Sequence, residues 1–535
     1  MQSHYKLLIE MGDRGIDALL SLNNQDMNPK SRSYGGMIEE NKGFAEPAHV
    51  VNMLNTLTCL YYNSLSSHHN NAVLLERANL LAGYLLRSQH KDGTLDLLET
   101  NFHDASTLSF AIQVAAYTYR VIKKYSKCSD IENNLENTLY SFLKASAEGI
   151  LNGGFHTPNH RWVITSALGL LYNILHDERL KNESMLYLQE GIDCDNEGEY
   201  TERSTGVYNV INNNSLIIIA EEFKMPKLYE YVNRNLNMML SYIEPDYTMC
   251  TLNSRRQDYG LDVYPNIYYE NYLQMAYKTQ NPIFAWMADF TFNIIYNNSK
   301  TALMPYDTAG KGGTSHIIAK YMLDYGLEKY TPQKKEKPDF NCRKFYETSG
   351  IVRLRHDNIS LTLVKGRSPF LKFQHGAANI HMRFAAAFFG TLGRFEPQEI
   401  KKLDNQAYRL SYHKQWGYIR PFNSPPATSI WDEMEHSKRE NTKMQNYIVN
   451  IDIFPEEDGV SMNVNTSGVE NVPYKIELLL QPNGYLETEN LALPTISNGH
   501  AFLKGNEALY SYKGFGIKIK GGLYEYRASL PFKKA

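Results

Sequence analysis

Cysteine is scarce in this chain, and it never occurs in pairs. The 535 residues contain 5 cysteines, and none of them belongs to a Cys-x-x-Cys motif. An odd and scattered set excludes a disulfide scaffold and a cysteine-based zinc site as the basis of the fold. The five positions are Cys59, Cys128, Cys194, Cys250 and Cys342.

Long apolar runs are missing as well. Residues 7–22 contain charged side chains such as Glu10 and Asp13, a pattern typical of an amphipathic helix and too polar for a membrane span. Residues 1–6 are not followed by the apolar core of a signal peptide. We therefore expect a cytoplasmic protein without a membrane partner.

A strong charge of one sign is also lacking. The formal net charge is −3 and the sequence pI is about 6.6, so no basic field favours a nucleic-acid partner. The sequence contains no G-x-x-x-x-G-K-[ST], H-E-x-x-H or G-x-S-x-G motif, and no G-x-G-x-x-G after a strand. Phosphoryl transfer, nicotinamide chemistry and serine hydrolysis therefore lack support, and no organic cofactor is implied.

Helical periodicity dominates residues 1–330. Val50, Leu54, Leu57 and Tyr61, for example, recur at the spacing of one buried helix face. Similar stripes, joined by short polar loops, favour stacked antiparallel helix pairs. Further helices are predicted at about 74–85, 108–122, 129–147, 161–176, 206–223, 225–242, 263–279, 281–297 and 312–325.

The period changes to two after a charged, proline-flanked linker at residues 331–345. Ile359, Leu361 and Leu363 alternate with polar residues, and Asn-Gly and Asp-Gly pairs supply hairpin turns between similar runs. Residues 346–535 are therefore expected to form an antiparallel β-sandwich. The chain as a whole is predicted to be an α+β multidomain protein, with a helical catalytic domain at residues 1–330.

The run from Gly154 to Trp162 places an amide, an imidazole and a guanidinium side by side at the start of an apolar helix. Asn159 is expected to be the N-cap of that helix, directly after Pro158. Because a helix start carries free N–H groups and partial positive charge, Asn159 and His160 would form a cradle for a sugar carboxylate.

A second block, Gly198 to Tyr208, contains an acidic and aromatic turn followed by Ser204 and Thr205. Either hydroxyl could cap the next helix and put Tyr208 in its first turn. Together with a helical half followed by a sandwich, these two blocks resemble the heparinase II/III-like polysaccharide lyases. The resemblance implies an incomplete (α/α) toroid of paired helices followed by an antiparallel β-sandwich.

The resemblance also implies roles for these residues. Asn159 and His160 would neutralise the carboxylate of a uronic acid, which makes loss of its weakly acidic C5 proton possible. Tyr208 would act as the catalytic acid, and also as the base if a neighbouring cation such as Arg161 or Arg203 stabilises its phenolate.

The resemblance also implies a histidine from the sandwich, which in this family commonly acts as a base or as a second group that neutralises the carboxylate. His375 is our choice, with His381 as its competitor, and a packing role is equally open for each. The sequence after His375 departs from the family's His-x-Asp-x-Gly pattern, which leaves the base undecided and gives no support for a metal site.

Other polar and aromatic residues are candidates for contact with sugar hydroxyls, carboxylates or rings, although each could instead be a cap, a surface ion pair or ordinary packing. These candidate substrate-binding residues are Asn101, His103, Arg161, Trp162, Arg255, Arg256, Tyr412 and Trp416.

The sequence thus predicts a lyase that cleaves uronic-acid-containing poly- or oligosaccharides by β-elimination, of unknown oligomeric state. A uronate C5-epimerase of the same architecture is the nearest alternative. A glycoside hydrolase would need a pair of carboxylates; Glu46, Asp104, Glu199 and Glu202 are candidates, but no two of them form an evident pair in the sequence. A non-catalytic protein that binds uronic glycans is the remaining alternative.

Overall fold

The structure, a computed structural model, describes residues 2–22, 24–39, 41–299, 316–389, 391–489, 491–503 and 505–521. The chain divides into two compact units. The first consists of Met1–Leu240 and Ser254–Pro338, and the second of Ser241–Asn253 and Asp339–Ala535. A short segment from the helical half of the sequence thus belongs to the second unit.

The first unit is the predicted incomplete toroid of paired helices. Its helices are α1 (Gln2–Leu22), α2 (Pro47–Tyr62), α3 (Ala72–Arg87), α4 (Ala105–Tyr125), α5 (Asp130–Leu151), α6 (Pro158–Leu175), α7 (Glu178–Gln189), α8 (Tyr208–Glu222), α9 (Tyr229–Leu240), α10 (Tyr269–Thr279), α11 (Pro282–Ser299), α12 (Ile317–Leu323) and α13 (Tyr325–Lys329). A short hairpin of β1 (Leu95–Leu97) and β2 (Asn101–Asp104) precedes α4. Residues 312–315 of the last predicted helix lie outside the described residues.

Burial separates the inner helices from the outer ones. Helices α4, α6 and α8 are buried along most of their length, whereas α5 and α7 bury a single stripe. The inner helices pack in series, α2 on α4, α4 on α6 and α6 on α8. Helix α7 was not predicted, because it buries only Leu180, Ser184 and Tyr187 and so lacks a clear apolar stripe.

The second unit is the predicted antiparallel β-sandwich. Its strands are β3 (Cys342–Tyr346), β4 (Ile351–His356), β5 (Ile359–Val364), β6 (Leu371–His375), β7 (Ala378–Phe388), β8 (Thr391–Arg394), β9 (Glu399–Lys402), β10 (Tyr408–Ile419), β11 (Asn441–Pro455), β12 (Val460–Gly468), β13 (Tyr474–Leu480), β14 (Tyr485–Thr488), β15 (Leu491–Pro494), β16 (Glu507–Tyr512) and β17 (Phe515–Lys520). Strand β3 begins inside the predicted linker, and residues 522–535 lie outside the described residues.

Three sheets make up this unit. One has the order β13-β7-β6-β5-β4-β3 with β8 beside β7, the second β12-β11-β10-β9, and the third β15-β14-β16-β17. Alternate residues of the first two sheets, such as Leu363, Phe384 and Ile451, share one apolar core. This arrangement follows directly from the period-two pattern of the sequence.

Segment Ser241–Asn253 is tied to the second unit by a buried carboxylate. Glu244 is fully buried and lies 2.9 Å from Arg353 and 3.1 Å from Lys372, and it accepts a hydrogen bond from Ser360 at 2.7 Å. Burial alone would raise the pKa of Glu244, but the two cations hold it well below its usual range. The carboxylate is therefore charged, and it anchors the segment to β4, β5 and β6.

Within the described ranges, no helix combines the length and the apolarity that crossing a bilayer requires.

Candidate active site

The N-cap of helix α6 lies two residues before Asn159, the residue that the sequence predicted for this position. Thr157 is the N-cap, Pro158 is the first helical residue, and Asn159 is the second. The hydroxyl of Thr157 donates to Oδ1 of Asn159 at 2.8 Å. Asn159 is fully buried, and its Nδ2 has no hydrogen-bond partner among the described residues. This amide therefore retains an unpaired donor, but the atom has no exposed surface, so an oxygen of a ligand reaches it only when the side chains around it move.

His160 follows on the same turn and is half-buried. Its ring packs edge-on against His156, with centroids 4.8 Å apart, and against Phe110 at 6.1 Å. Burial, helped by the nearby His156 and Arg256, lowers the pKa of His160 to about 4, although Asp104 opposes the shift. At neutral pH the imidazole is therefore uncharged, and it would contact a carboxylate by hydrogen bonding.

Tyr208 is the first residue of α8, and its backbone is held by the preceding turn. Its N–H donates to Oγ of Ser204 at 3.2 Å. The buried carboxylate of Asp258 accepts hydrogen bonds from the hydroxyl of Ser204 at 2.8 Å and from the N–H of Gly206 at 2.8 Å. A Cβ at Gly206 would lie only 3.0 Å from this carboxylate, so a glycine fits the turn best.

The phenol of Tyr208 is half-buried and has two neighbours from the loop after Asn253. Nε2 of Gln257 donates to the phenol oxygen at 2.8 Å. The guanidinium carbon of Arg256 lies 5.0 Å from the centre of the ring, within the range of a cation–π contact. Arg256 is thus a cation beside this tyrosine, although Arg161 or Arg203 was expected in this role.

Glu202 joins the two predicted blocks. Its Oε2 accepts a hydrogen bond from the backbone N–H of Asn159 at 3.1 Å, and its Oε1 lies 3.3 Å from Nε of Arg256. The structure thereby links the start of α6, Glu202, Arg256 and Tyr208 within the first unit. The carboxylate of Glu202 also occupies the helix N-terminus at which the sequence predicted that a sugar carboxylate would bind.

Arg161 and Trp162 lie on the same turn of α6 but serve its packing. Trp162 is fully buried and its indole N–H donates to Asp193 at 2.7 Å. Arg161 pairs with Glu190 at 3.0 Å and with Asp193 at 3.3 Å, and it stacks on the indole of Trp162. The prediction that Trp162 contacts the substrate is therefore wrong, because no face of its side chain is accessible.

The hairpin before α4 carries the next two candidates. His103 is exposed, lies 2.6 Å from a carboxylate oxygen of Asp92, and stacks on His90 with centroids 4.0 Å apart. The amide of Asn101 donates to Asp104 at 3.4 Å, and the side chain of Asp104 caps α4. Because Asp104 acts electrostatically on His160, the end of β2 lies near that imidazole.

Arg255 is exposed, and its backbone N–H donates to the carbonyl oxygen of Glu202 at 3.1 Å. Its guanidinium is therefore accessible to solvent next to the turn that leads to Tyr208. This position agrees with a ligand contact and equally with a solvated surface residue.

The remaining candidates belong to the second unit. Nδ1 of His375 lies 2.9 Å from the carbonyl oxygen of Gly516. A carbonyl only accepts, so Nδ1 is the donor and Nε2 is the basic nitrogen of the neutral ring. On β10, Tyr412 packs against Phe395, whereas Trp416 is 49% exposed.

His381, the competitor of His375, lies on β7 opposite Lys372. Burial, together with Lys372 and Arg383, lowers the pKa of His381 to about 3, although Glu244 opposes the shift. Its imidazole is therefore neutral at physiological pH and accepts a proton only weakly, which makes His381 a poor base.

No family model and no curated protein matches the sequence. Among solved structures, xanthan lyase from Paenibacillus superposes with a TM-score of 0.56 at 8% identity, over 96% of this chain and 51% of that one. The chain has the fold of an α/α-toroid polysaccharide lyase. The predicted resemblance is thus confirmed for the fold, and the chain spans about half the length of the xanthan lyase.

Two further lyase structures are similar at lower scores. Chondroitin AC lyase from Streptomyces coelicolor A3, solved with chondroitin sulphate, has a TM-score of 0.47 at 10% identity, over 88% of this chain and 67% of that one. Heparinase III has a TM-score of 0.46 at 11% identity, over 96% of this chain and 91% of that one.

Proposed function

We propose that this protein is a lyase that cleaves uronic-acid-containing poly- or oligosaccharides by β-elimination. The new non-reducing end would carry a 4,5-unsaturated uronate. One observation carries the proposal: a phenol and an amide–imidazole pair from distant segments are linked through Glu202 and Arg256. The fold, shared with a polysaccharide lyase, agrees with it.

In this reaction Asn159 and His160 would bind the uronate carboxylate. The unpaired Nδ2 of Asn159 would supply one donor once the side chains that cover it move, and the neutral imidazole of the half-buried His160 would supply a second. Hydrogen bonds that strengthen as charge moves from C5 onto the carboxylate stabilise the enolate-like transition state. This is why the chemistry needs donors at this position.

Two proton transfers complete the reaction. A base removes the C5 proton, the C4–C5 double bond forms as the C4–O4 bond breaks, and O4 takes up a proton. Tyr208 is the proposed acid at O4, because Gln257 donates to its oxygen and leaves the phenolic proton free. The base is either Tyr208 or His375, whose Nε2 is unprotonated in the neutral ring.

A hydrolase is less well supported than a lyase. Glu46, Glu199 and Glu202 are each at most 4% exposed, and Asp104 caps α4. A C5-epimerase would share the carboxylate contacts and the first proton transfer, but it would return a proton to the opposite face of C5. Only the product distinguishes it from a lyase.

The test is a panel of uronate polymers and oligomers that includes alginate, glucuronan, hyaluronan, chondroitin and heparan-like chains. We expect ultraviolet absorbance to grow with at least one of them, and Tyr208→Phe to abolish that growth. Tyr140→Phe, on an outer helix, is the matched control. Inversion at C5 without cleavage would identify an epimerase, and cleavage that leaves saturated non-reducing ends would identify a hydrolase.

A further inference from the structure

Glu202 places a carboxylate where the proposed function requires a second one to bind. Burial raises the pKa of Glu202, and Arg256 opposes this shift and so favours the charged form. The side chain of Glu202 is 4% exposed, and its carboxylate touches both the start of α6 and Arg256. A substrate carboxylate held by Asn159 and His160 would be repelled by this charge. A buried carboxylate in this position weakens substrate binding, so its retention indicates a role in the site that offsets this cost.

We infer that Glu202 is a positioning residue of the proposed lyase site, setting the carboxylate-binding pair and the phenol relative to each other through Arg256. This inference rests on the proposed function. The residue has no contact with the reacting atoms in this scheme; it acts through Arg256, and its contact with the N–H of Asn159 fixes its own position.

The geometry explains why a glutamate is required. One oxygen accepts a hydrogen bond from the N–H of Asn159, and the other forms an ion pair with Arg256, whose Nε lies 3.3 Å away without a hydrogen bond between the two atoms. A glutamine keeps an acceptor for the N–H of Asn159, but it is uncharged and turns its NH₂ group toward the guanidinium. An aspartate keeps the charge but is one methylene shorter, so it would displace one of these two contacts.

The charge has a second consequence, which concerns Arg256. This guanidinium lies over the Tyr208 ring and near His160. Without Glu202 it would be an unpaired cation and would compete with Asn159 and His160 for the uronate carboxylate. The sugar would then bind at least as tightly, but with its C5 proton out of reach of the base.

Loss of this positioning should change kcat and KM in different ways. Glu202→Gln should lower kcat by about ten-fold or more while KM stays unchanged or falls. Glu132→Gln is the matched control, because Glu132 is also a buried acceptor of backbone N–H groups but caps α5. We expect the control to lower the melting temperature and to leave kcat within about two-fold of the wild type.

A double variant tests the route through Arg256. If Glu202 acts by holding Arg256, then Glu202→Gln combined with Arg256→Gln should lower kcat no further than Arg256→Gln alone. Additive losses would mean that Glu202 acts independently, and they would overturn the inference. Glu202→Asp replaces Glu202→Gln if the latter does not fold, with the same expected loss in kcat.

The failures of the two proposals are distinguishable. If the wild type forms unsaturated product and Glu202→Gln retains its kcat, or raises KM alone, then the positioning role is wrong and the lyase stands. If the wild type forms no unsaturated product from any uronate glycan, then the proposed function falls and this inference falls with it.

Discussion

Nε2 of Gln257 lies 2.8 Å from the phenol oxygen of Tyr208, and the amide is the donor in this hydrogen bond. Gln257 is exposed, so the contact adds little to the stability of the fold. The contact matters because of the direction of the hydrogen bond. An oxygen that accepts from the amide keeps its own proton for another acceptor, which in the proposed reaction is the departing O4.

Gln257→Glu should reverse this direction. A carboxylate accepts only, so the phenolic proton would turn toward residue 257 and away from the sugar. We expect kcat to fall by about ten-fold to a hundred-fold. Initial rates of absorbance growth measure the change, with Gln257→Met as the control that removes the contact without reversing it. Equal losses in the two variants would contradict the directional argument.

Gly206 offers a test of how tightly the turn before Tyr208 is packed. A methyl group there would lie 2.8 Å from Cγ2 of Val263 and 3.0 Å from the carboxylate of Asp258. Gly206→Ala should therefore cost about 1–3 kcal/mol in the free energy of unfolding and displace Tyr208. Urea denaturation and kcat measure the two effects.

The control for this variant is Gly459→Ala, because a Cβ at Gly459 meets no atom within 4 Å. We expect that substitution to change the free energy of unfolding by less than about 0.5 kcal/mol. If Gly206→Ala is equally harmless, the turn is not the tight support that its contacts with Asp258 indicate.

Much of the fold could be predicted, because its signals are local. The period of 3.6 marks helices such as α2 and α4, and the period of two marks strands such as β5. The N-cap of α6 was also within reach of sequence reasoning: a proline favours the first helical position, which makes Thr157 the cap and excludes Asn159.

The support of the candidate site could not be predicted in the same way. Asn159, His160 and Tyr208 were selected from two short blocks, but Glu202 and Asp258 become important only through partners distant in sequence. No periodicity encodes such contacts. The same holds for Ser241–Asn253, since only tertiary contacts such as Glu244 with Arg353 assign this segment to the second unit.

The buried imidazole of His160 should make stability depend on pH. Its pKa falls from the ordinary 6.5 to about 4 in the folded protein, so between these values the unfolded chain binds the proton more tightly. The free energy of unfolding should therefore rise with pH from about 4 to 6.5, by at most about 3 kcal/mol from this residue.

Urea denaturation of the wild type and of His160→Asn across this pH range measures the contribution. The variant should show a shallower rise, and His381→Asn should behave similarly, because the pKa of His381 is also lowered. A rise of equal slope in the wild type and in His160→Asn would mean that the imidazole is not held neutral in the folded state.

In the second unit, the charge of Glu244 should contribute strongly to stability. Removing its charge leaves Arg353, which is fully buried, and the largely buried Lys372 without their anion. Because an unpaired buried charge is costly, Glu244→Gln should destabilise the protein by about 3–5 kcal/mol. Thermal unfolding measures this loss, with Glu399→Gln as a control, since Glu399 forms an exposed pair with Lys401. Should Arg353→Met combined with Glu244→Gln regain stability over Glu244→Gln alone, the cost lies in the orphaned cation and not in a lost contact of the carboxylate.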